Sequence, residues 1–361
     1  MEKMNDLSNF LPPRISTLPD FLILEEILPR LPVKSLIRFK SVSKSWLSSI
    51  SSPKFAKFHL KFSSSHPQFL ILTENNREWK NEFFLLDYNE NNCNVNEFVQ
   101  LEFDNGCDDP ITFMDLVGSC HGLVCFYVRK DPKFFFVWNP ATRGSRKIMI
   151  PVGHDKAMHY GCEFYYDPLH DDYKIFGSFS SPGDFYVHFH VFSLSSGTWK
   201  RISNLDKHFQ LIVLGNTLLV DDTIYFCSFI NNHIVGFDLV HEEIKELPSM
   251  NWLSRYYRVR LLRLRGCLSL LCYTSDDLLD VWILNNPSDW NSWQKLFSFN
   301  CVNVMYHGFS ETGKCLVHHG GQLKVVDPSC ETLQFSREGI NLNDDCIVQS
   351  KDYIESLVSP F

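Results

Sequence analysis

Long apolar runs are missing from this chain of 361 residues. None approaches the roughly 18 residues that a membrane-crossing helix needs, so no membrane span is expected. The first dozen residues include Glu2, Lys3 and Asp6 and hold no sustained apolar core, so no secretory signal is expected there. Metal spacings are missing too. The 12 Cys never fall as Cys-x-x-Cys, and His241-Glu242-Glu243 has no second His four residues on. Gly-x-Ser-x-Gly, P-loop and Gly-x-Gly-x-x-Gly motifs do not occur. The one glycosylation frame, Asn286-Pro287-Ser288, is spoiled by its proline. No metal or cofactor is expected, and the cysteines read as reduced thiols of a cytoplasmic or nuclear protein.

Positive charge is scarce over most of the chain. Residues 62–361 carry 24 Lys and Arg against 37 Asp and Glu, which argues against nucleic-acid binding. Residues 1–61 reverse the balance, with ten against five. A basic head on an acidic body implies that the head meets an acidic partner.

What is present divides at the same place. Residues 1–14 read as a loose tail and 15–62 as short helices. Asp20 suits a helix start, and Phe21, Leu24, Ile27 and Leu28 keep to one face. Pro29 and Pro32 close that helix. A second helix sets Val33, Leu36 and Ile37 opposite Lys34, Arg38 and Lys40. A third places Val42, Trp46 and Ile50 at four-residue steps, and Pro53 ends it. Three short helices bury little apolar surface alone. Their apolar side must rest on the body, as a helical cap, or on a partner.

The head resembles the F-box. Leu18-Pro19, Glu26-Ile27-Leu28, Leu31-Pro32-Val33-Lys34-Ser35-Leu36, Arg38-Phe39-Lys40 and Lys44-Ser45-Trp46 match its pattern in order, with Ser43 where plant members usually carry Cys and Pro29 where many carry Ser. The resemblance implies docking onto the small acidic Skp-type adaptor of a cullin–RING ubiquitin ligase. Carried over by position, the adaptor-binding face is Leu18, Pro19, Ile27, Leu28, Leu31, Pro32, Leu36 and Val42.

After a linker, 63–68, the body from 69 to 361 repeats one pattern: an apolar strand end, a polar turn, then a second strand. It starts at Leu86, Trp138, Phe192, Phe237, Trp282 and Val326, in steps of 52, 54, 45, 45 and 44. Periods near 45 with short strands mark a β-propeller of about six blades. Apolar runs such as Leu123–Tyr127 suit strands buried between blades. The apolar end, Tyr353–Val358, is expected to close the ring against the first blade. A pair of β-sandwiches is the alternative.

The body resembles the plant F-box-associated, kelch-like domain. The match runs through Val117-Gly118-Ser119-Cys120-His121-Gly122-Leu123-Val124 and Val137-Trp138-Asn139-Pro140-Ala141-Thr142-Arg143, then Tyr166-Asp167-Pro168 and Phe237-Asp238-Leu239. It ends in Tyr353-Ile354-Glu355-Ser356-Leu357-Val358. That class includes the S-locus F-box proteins of pollen. The fold class is therefore mostly β, a three-helix F-box followed by a propeller. The resemblance implies a non-catalytic substrate receptor of an SCF (Skp–cullin–F-box) ubiquitin ligase, with the adaptor, cullin, RING subunit and an unknown target as partners. A non-degradative, adaptor-bound interaction protein is the second reading and a propeller enzyme the third.

Arg255, Arg258 and Arg260, interleaved with Tyr256, Tyr257 and Val259, form the one basic stretch of the body and are the candidate substrate-binding residues. His188 and His190 share a strand face, without a third ligand. The loops around 105–110, 153–158, 180–184 and 287–291 are candidates for setting specificity.

Overall fold

The computed structural model describes residues 18–62, 68–75, 80–103, 113–153, 158–180, 187–202, 214–228, 234–248, 250–300, 304–329, 340–341 and 346–361. The chain forms two compact units, Met1–Ser63 and Ser64–Phe361. The expected tail and linker fall outside the described residues, except Gln68, which begins a strand.

In the head, α1 (Asp20–Leu22) lasts one turn before Ile23–Ile27 widens into a π turn and Leu28–Arg30 tightens into a 3-10 turn. Pro29 offers no amide hydrogen to the carbonyl four residues back, so a regular ladder cannot run through it. Then come α2 (Val33–Phe39), α3 (Lys44–Ile50) and α4 (Pro53–Leu60). The Ser43 hydroxyl accepts from the Trp46 amide at 3.1 Å and caps α3, which leaves Val42 ahead of the helix rather than on its stripe. The expected count of three helices is corrected by α4. Pro53 does stop α3, but proline costs nothing at the first position of a helix, and the Ser52 hydroxyl accepts from the Phe55 amide at 3.2 Å. Leu28, Val33, Leu36, Ile50, Phe55 and Ala56 form the buried set of the head. Buried His59 donates through Nε2 to the Leu31 carbonyl at 2.9 Å, tying α4 to the turn before α2.

The second unit holds six four-stranded antiparallel sheets, the expected propeller blades. The innermost strands are Met114–Cys120, Met158–Asp167, Leu214–Val220, Arg258–Leu264, Val304–Phe309 and Cys346–Tyr353, in blades 2, 3, 4, 5, 6 and 1. Four antiparallel strands return the chain to the face it left. All six inner strands therefore run the same way, and their first residues ring one mouth of the axial channel, the entry mouth.

Blade contacts explain the phenylalanine content. Phe83 lies 5.3 Å from Trp138 between blades 1 and 2, and Phe135 lies 5.8 Å from Trp199 between blades 2 and 3. Phe176 lies 5.7 Å from Phe226 between blades 3 and 4. Leu271 and Phe299 of blade 5 pack with Tyr306 of blade 6, and Leu316 of blade 6 packs with Phe69 of blade 1. Middle strands such as Leu123–Val128 are buried along their whole length, whereas the outer strand Val95–Leu101 is largely exposed.

The repeated pattern is the turn from the third to the fourth strand of each blade. In every copy a side-chain oxygen accepts a backbone N–H two or three residues on. The pairs are Asn89 with Asn91 (2.9 Å), Asn139 with Ala141 (2.9 Å), Ser193 with Ser196 (3.1 Å), Asp238 with Val240 (2.8 Å), Asn286 with Ser288 (3.0 Å) and Asp327 with Ser329 (3.0 Å).

Ring closure happens one segment earlier than expected. Cys346–Tyr353, not Tyr353–Val358, pairs with Gln68–Asn75, placing Phe69 opposite Asp352. Residues 354–361 leave the sheet as an irregular tail clipped to blade 2. The Asn139 side-chain amide donates to the carbonyls of Ser356 (3.1 Å) and Val358 (2.7 Å), and the Ser356 hydroxyl donates to the His121 carbonyl at 2.5 Å. Polar Cys346–Asp352 carries no apolar strand signal because it pairs through its backbone beside the channel.

Candidate functional site

The head presents an apolar surface. Leu18 (56% exposed), Phe21 (60%), Ile27 (42%), Val42 (58%) and Leu47 (47%) are its large exposed hydrophobic residues among those described. Pro19 and Pro32 are exposed and Leu31 is half-buried. The structure thus divides the eight carried-over residues. Leu28 and Leu36, at 1% and 0%, belong to the buried set and cannot touch a partner while the head stays folded, which corrects their placement on the docking face. The split at Ile27 and Leu28 falls where the π turn gives way to the 3-10 turn: Ile27 ends the one and is exposed, and Leu28 opens the other and is buried. Phe21 and Leu47 are also exposed and stand outside the carried-over set. Leu47 carried a signal: it is an apolar residue off the Trp46–Ile50 stripe, on an otherwise polar face. Phe39 and Trp46 pack edge to face at 5.7 Å. Lys34, Arg38, Lys44 and Lys54 are exposed, so the surface joins apolar contact with positive charge.

The propeller encloses an axial channel, a cavity of about 2020 Å³ reached by all six inner strands. The basic stretch divides here. Arg258 and Arg260 line the channel, with their guanidinium carbons 5.8 and 5.9 Å from the Tyr273 ring centre. Arg255 lies apart, over the rings of Tyr256 (4.8 Å) and Trp282 (5.6 Å), and donates to the Tyr256 hydroxyl at 2.7 Å. That hydroxyl in turn donates to Asp280 at 2.6 Å. Deeper in the channel, burial pushes the Glu163 carboxyl up to about 7, against the pull of Lys351. Burial also pushes the thiols of Cys125, Cys162 and Cys315 far up, which suits unreactive packing. Among the described residues no group of three His, Cys, Asp or Glu is placed to hold a metal. His188 accepts from Arg201 at 2.8 Å through Nδ1, an ordinary cross-strand contact.

Of the four candidate loops, 105–110 lies outside the described residues, as do 154–157 and 181–184 of the next two. The strand ends that bound these three open on the entry mouth. Pro287–Asn291 joins a third to a fourth strand and so lies on the opposite face.

Residues 68–328 match the F-box associated beta propeller domain, and residues 15–58 match the F-box domain. The chain belongs to the F-box-associated β-propeller family. An F-box/kelch-repeat protein of Arabidopsis thaliana is 30% identical, over 76% of this chain and 78% of its own. An F-box protein of the same plant is 26% identical over 79% of this chain and 73% of its own. Among solved structures, a chain of the nidogen/laminin complex superposes with a TM-score of 0.53 at 10% identity, covering 80% of this F-box protein and 98% of that chain. The likeness shows the propeller fold alone.

Proposed function

We propose that this F-box protein is the substrate-recognition subunit of an SCF-type ubiquitin ligase, acting in the cytoplasm or nucleus. The observation that carries the proposal is the exposed apolar and basic surface of the head. Its five large exposed hydrophobic residues lie in a segment of some 45 residues that matches the F-box domain. Covering such side chains is worth about 1.5–3 kcal/mol each, and the surrounding lysines and arginines suit an acidic adaptor. The propeller forms no bond with the target and breaks none. It holds the target while the head is held by the adaptor and, through it, by the cullin and RING subunit. A lysine of the target then meets the charged conjugating enzyme at high effective concentration.

The test is co-purification of adaptor, cullin and RING subunit with the tagged full chain, followed by turnover of the proteins that bind the propeller. The reading expects all three subunits, and it expects bound proteins to accumulate when the ligase is inhibited. Capture of the adaptor with no ubiquitin-dependent turnover of any bound protein would overturn the degradative role. Failure to capture the adaptor would overturn the whole reading.

A further inference from the structure

One eight-residue frame occurs twice at the far mouth of the channel, opposite the entry mouth. Asp167-Pro168-Leu169-His170-Asp171-Asp172-Tyr173-Lys174 turns between the first two strands of blade 3. Asp238-Leu239-Val240-His241-Glu242-Glu243-Ile244-Lys245 turns between the last two strands of blade 4. The two are bound alike. Asp167 accepts from the amides of Leu169 (2.9 Å) and His170 (3.4 Å), from the His170 ring (2.6 Å) and from Lys174 (2.5 Å). Asp238 accepts from the amides of Val240 (2.8 Å) and His241 (3.0 Å), from the His241 ring (3.1 Å) and from Lys245 (2.9 Å). Each aspartate thus fixes the backbone on which one large apolar side chain stands in water: Leu169 is 74% and Val240 51% exposed. Single exposed leucines are common. Two apolar tips held by one repeated frame on neighbouring blades, both lining the channel mouth, are not explained by turn formation, which polar tips serve better. Asp221 and Asp222, exposed in the inner turn of blade 4, line the same mouth. The Leu239 amide donates to the Asp222 carbonyl at 2.8 Å, which sets that turn beside the Val240 turn. The cations of this region have their carboxylates: Lys200 has Glu242 (2.5 Å), Arg263 has Glu311 (3.0 Å), and Lys174 and Lys245 have the two frame aspartates. The turns of blades 3, 4 and 5 at this mouth are all described, and among the described residues no cation, Arg265 of the neighbouring blade 5 turn included, pairs with Asp221 or Asp222.

From this arrangement we propose that the far mouth over blades 3 and 4 is the target-binding surface and takes a segment in which two basic residues stand between apolar ones. The basic pair meets Asp221 and Asp222, and the apolar residues cover Leu169 and Val240. Side chains already fixed in place lose little freedom on being covered, which is what an interface anchor needs. The carboxylates also select the class of partner. A nucleic acid or an anionic membrane carries their own sign of charge and is repelled, whereas a basic segment is drawn in. This assignment rests on the reading of the propeller as target holder, and it moves the target from the basic stretch at Arg255, Arg258 and Arg260 to the far mouth.

The test uses the full chain and a fluorescein-labelled peptide, Gly-Leu-Arg-Arg-Leu-Gly, read by fluorescence anisotropy. Gly-Leu-Gln-Gln-Leu-Gly and Gly-Ser-Arg-Arg-Ser-Gly are the controls. Saturable binding of the first peptide below about 1 mM is expected, weakened about tenfold or more in each control peptide. The same loss is expected in Asp221→Asn/Asp222→Asn and in Leu169→Ser/Val240→Ser. Both double variants replace exposed side chains, and asparagine, like aspartate, accepts the positive φ of residue 221 (51°), so unchanged melting is expected of each. Glu97→Gln, on the outer strand of blade 1, is expected to bind within about twofold of the unaltered chain. Equal binding of the arginine and glutamine peptides, or no binding of any peptide, overturns the site. Equal binding of the serine peptide, or no effect of either double variant, overturns it as well. Adaptor capture by the same variants, measured in parallel, reports on the head alone, so failure of the site and failure of the ligase reading are distinguishable.

Discussion

Asn139 satisfies backbone groups on two sides at once. Its carbonyl oxygen accepts from the amides of Ala141 and Thr142, while its amide nitrogen donates to the carbonyls of Ser356 and Val358, and the side chain is wholly buried. A hydrogen-bonding side chain removed from such a site leaves its partners dry. Asn139→Ala is predicted to destabilise the propeller by about 2–4 kcal/mol, read as a lowered urea midpoint. Gly122 works on the same tail. Its φ is +77°, and a Cβ there would stand 2.3 Å from the Ser356 hydroxyl, so Gly122→Ala should displace the tail as well as strain the turn. Both residues stood out in the sequence as family motif. Their role as a clip for the C-terminus did not, because their partners lie more than 200 residues away. Glu163 gives a pH signature. A carboxyl raised from 4.5 to about 7 contributes stability that is complete below about pH 4.5 and is lost as pH rises through 7. Glu163→Gln is therefore predicted to flatten the stability curve between those values. At about pH 8 it should raise stability relative to the unaltered chain by something on the order of 3 kcal/mol, measured by denaturant melts across pH.

At the scale of elements, the head shows what periodicity conveys and where it fails. The existence of helices, their basic flank and the apolar stripe of α2 were legible, since propensity and spacing agree there. The sides taken by Ile27 and Leu28 were not, because a π turn followed by a 3-10 turn breaks the 100° step on which a helical reading depends. Pro53 was read as a stop and is also a start, an ambiguity that only the Ser52 cap resolves. The two kinds of head leucine should behave differently under mutation. Leu28→Ala removes a buried side chain and is predicted to cost about 2–5 kcal/mol, melting the head and losing adaptor binding together. Leu47→Ala, on the surface, is predicted to leave the helical signal of the head unchanged while weakening adaptor binding. Circular dichroism paired with adaptor capture separates the two.

At the scale of the whole molecule, the ring is closed by its ends, so the fold needs both. Residues 346–353 hydrogen-bond along the whole of Gln68–Asn75, and without them that strand offers a bare edge to other chains. A chain ending at residue 345 is predicted to aggregate on expression, whereas one ending at Tyr353 should remain a monomer that melts several degrees lower. Size-exclusion chromatography and thermal scans check both. The blade count was legible because every blade repeats one turn with one chemistry, an oxygen-bearing side chain over its own backbone. The closing strand was misplaced by one segment, because apolar Leu357 and Val358 are buried by the clip on blade 2 rather than by strand pairing. Above the fold stands the claim that the outward apolar side chains of the head are the handle for the adaptor. The most direct measurement is a calorimetric titration of purified Skp-type adaptor into the full chain and into Phe21→Glu/Val42→Glu, each with a matched thermal scan. Saturable binding by the unaltered chain is expected, with at least about tenfold weaker binding by the double variant and unchanged melting. Equal affinity of the two proteins would contradict it.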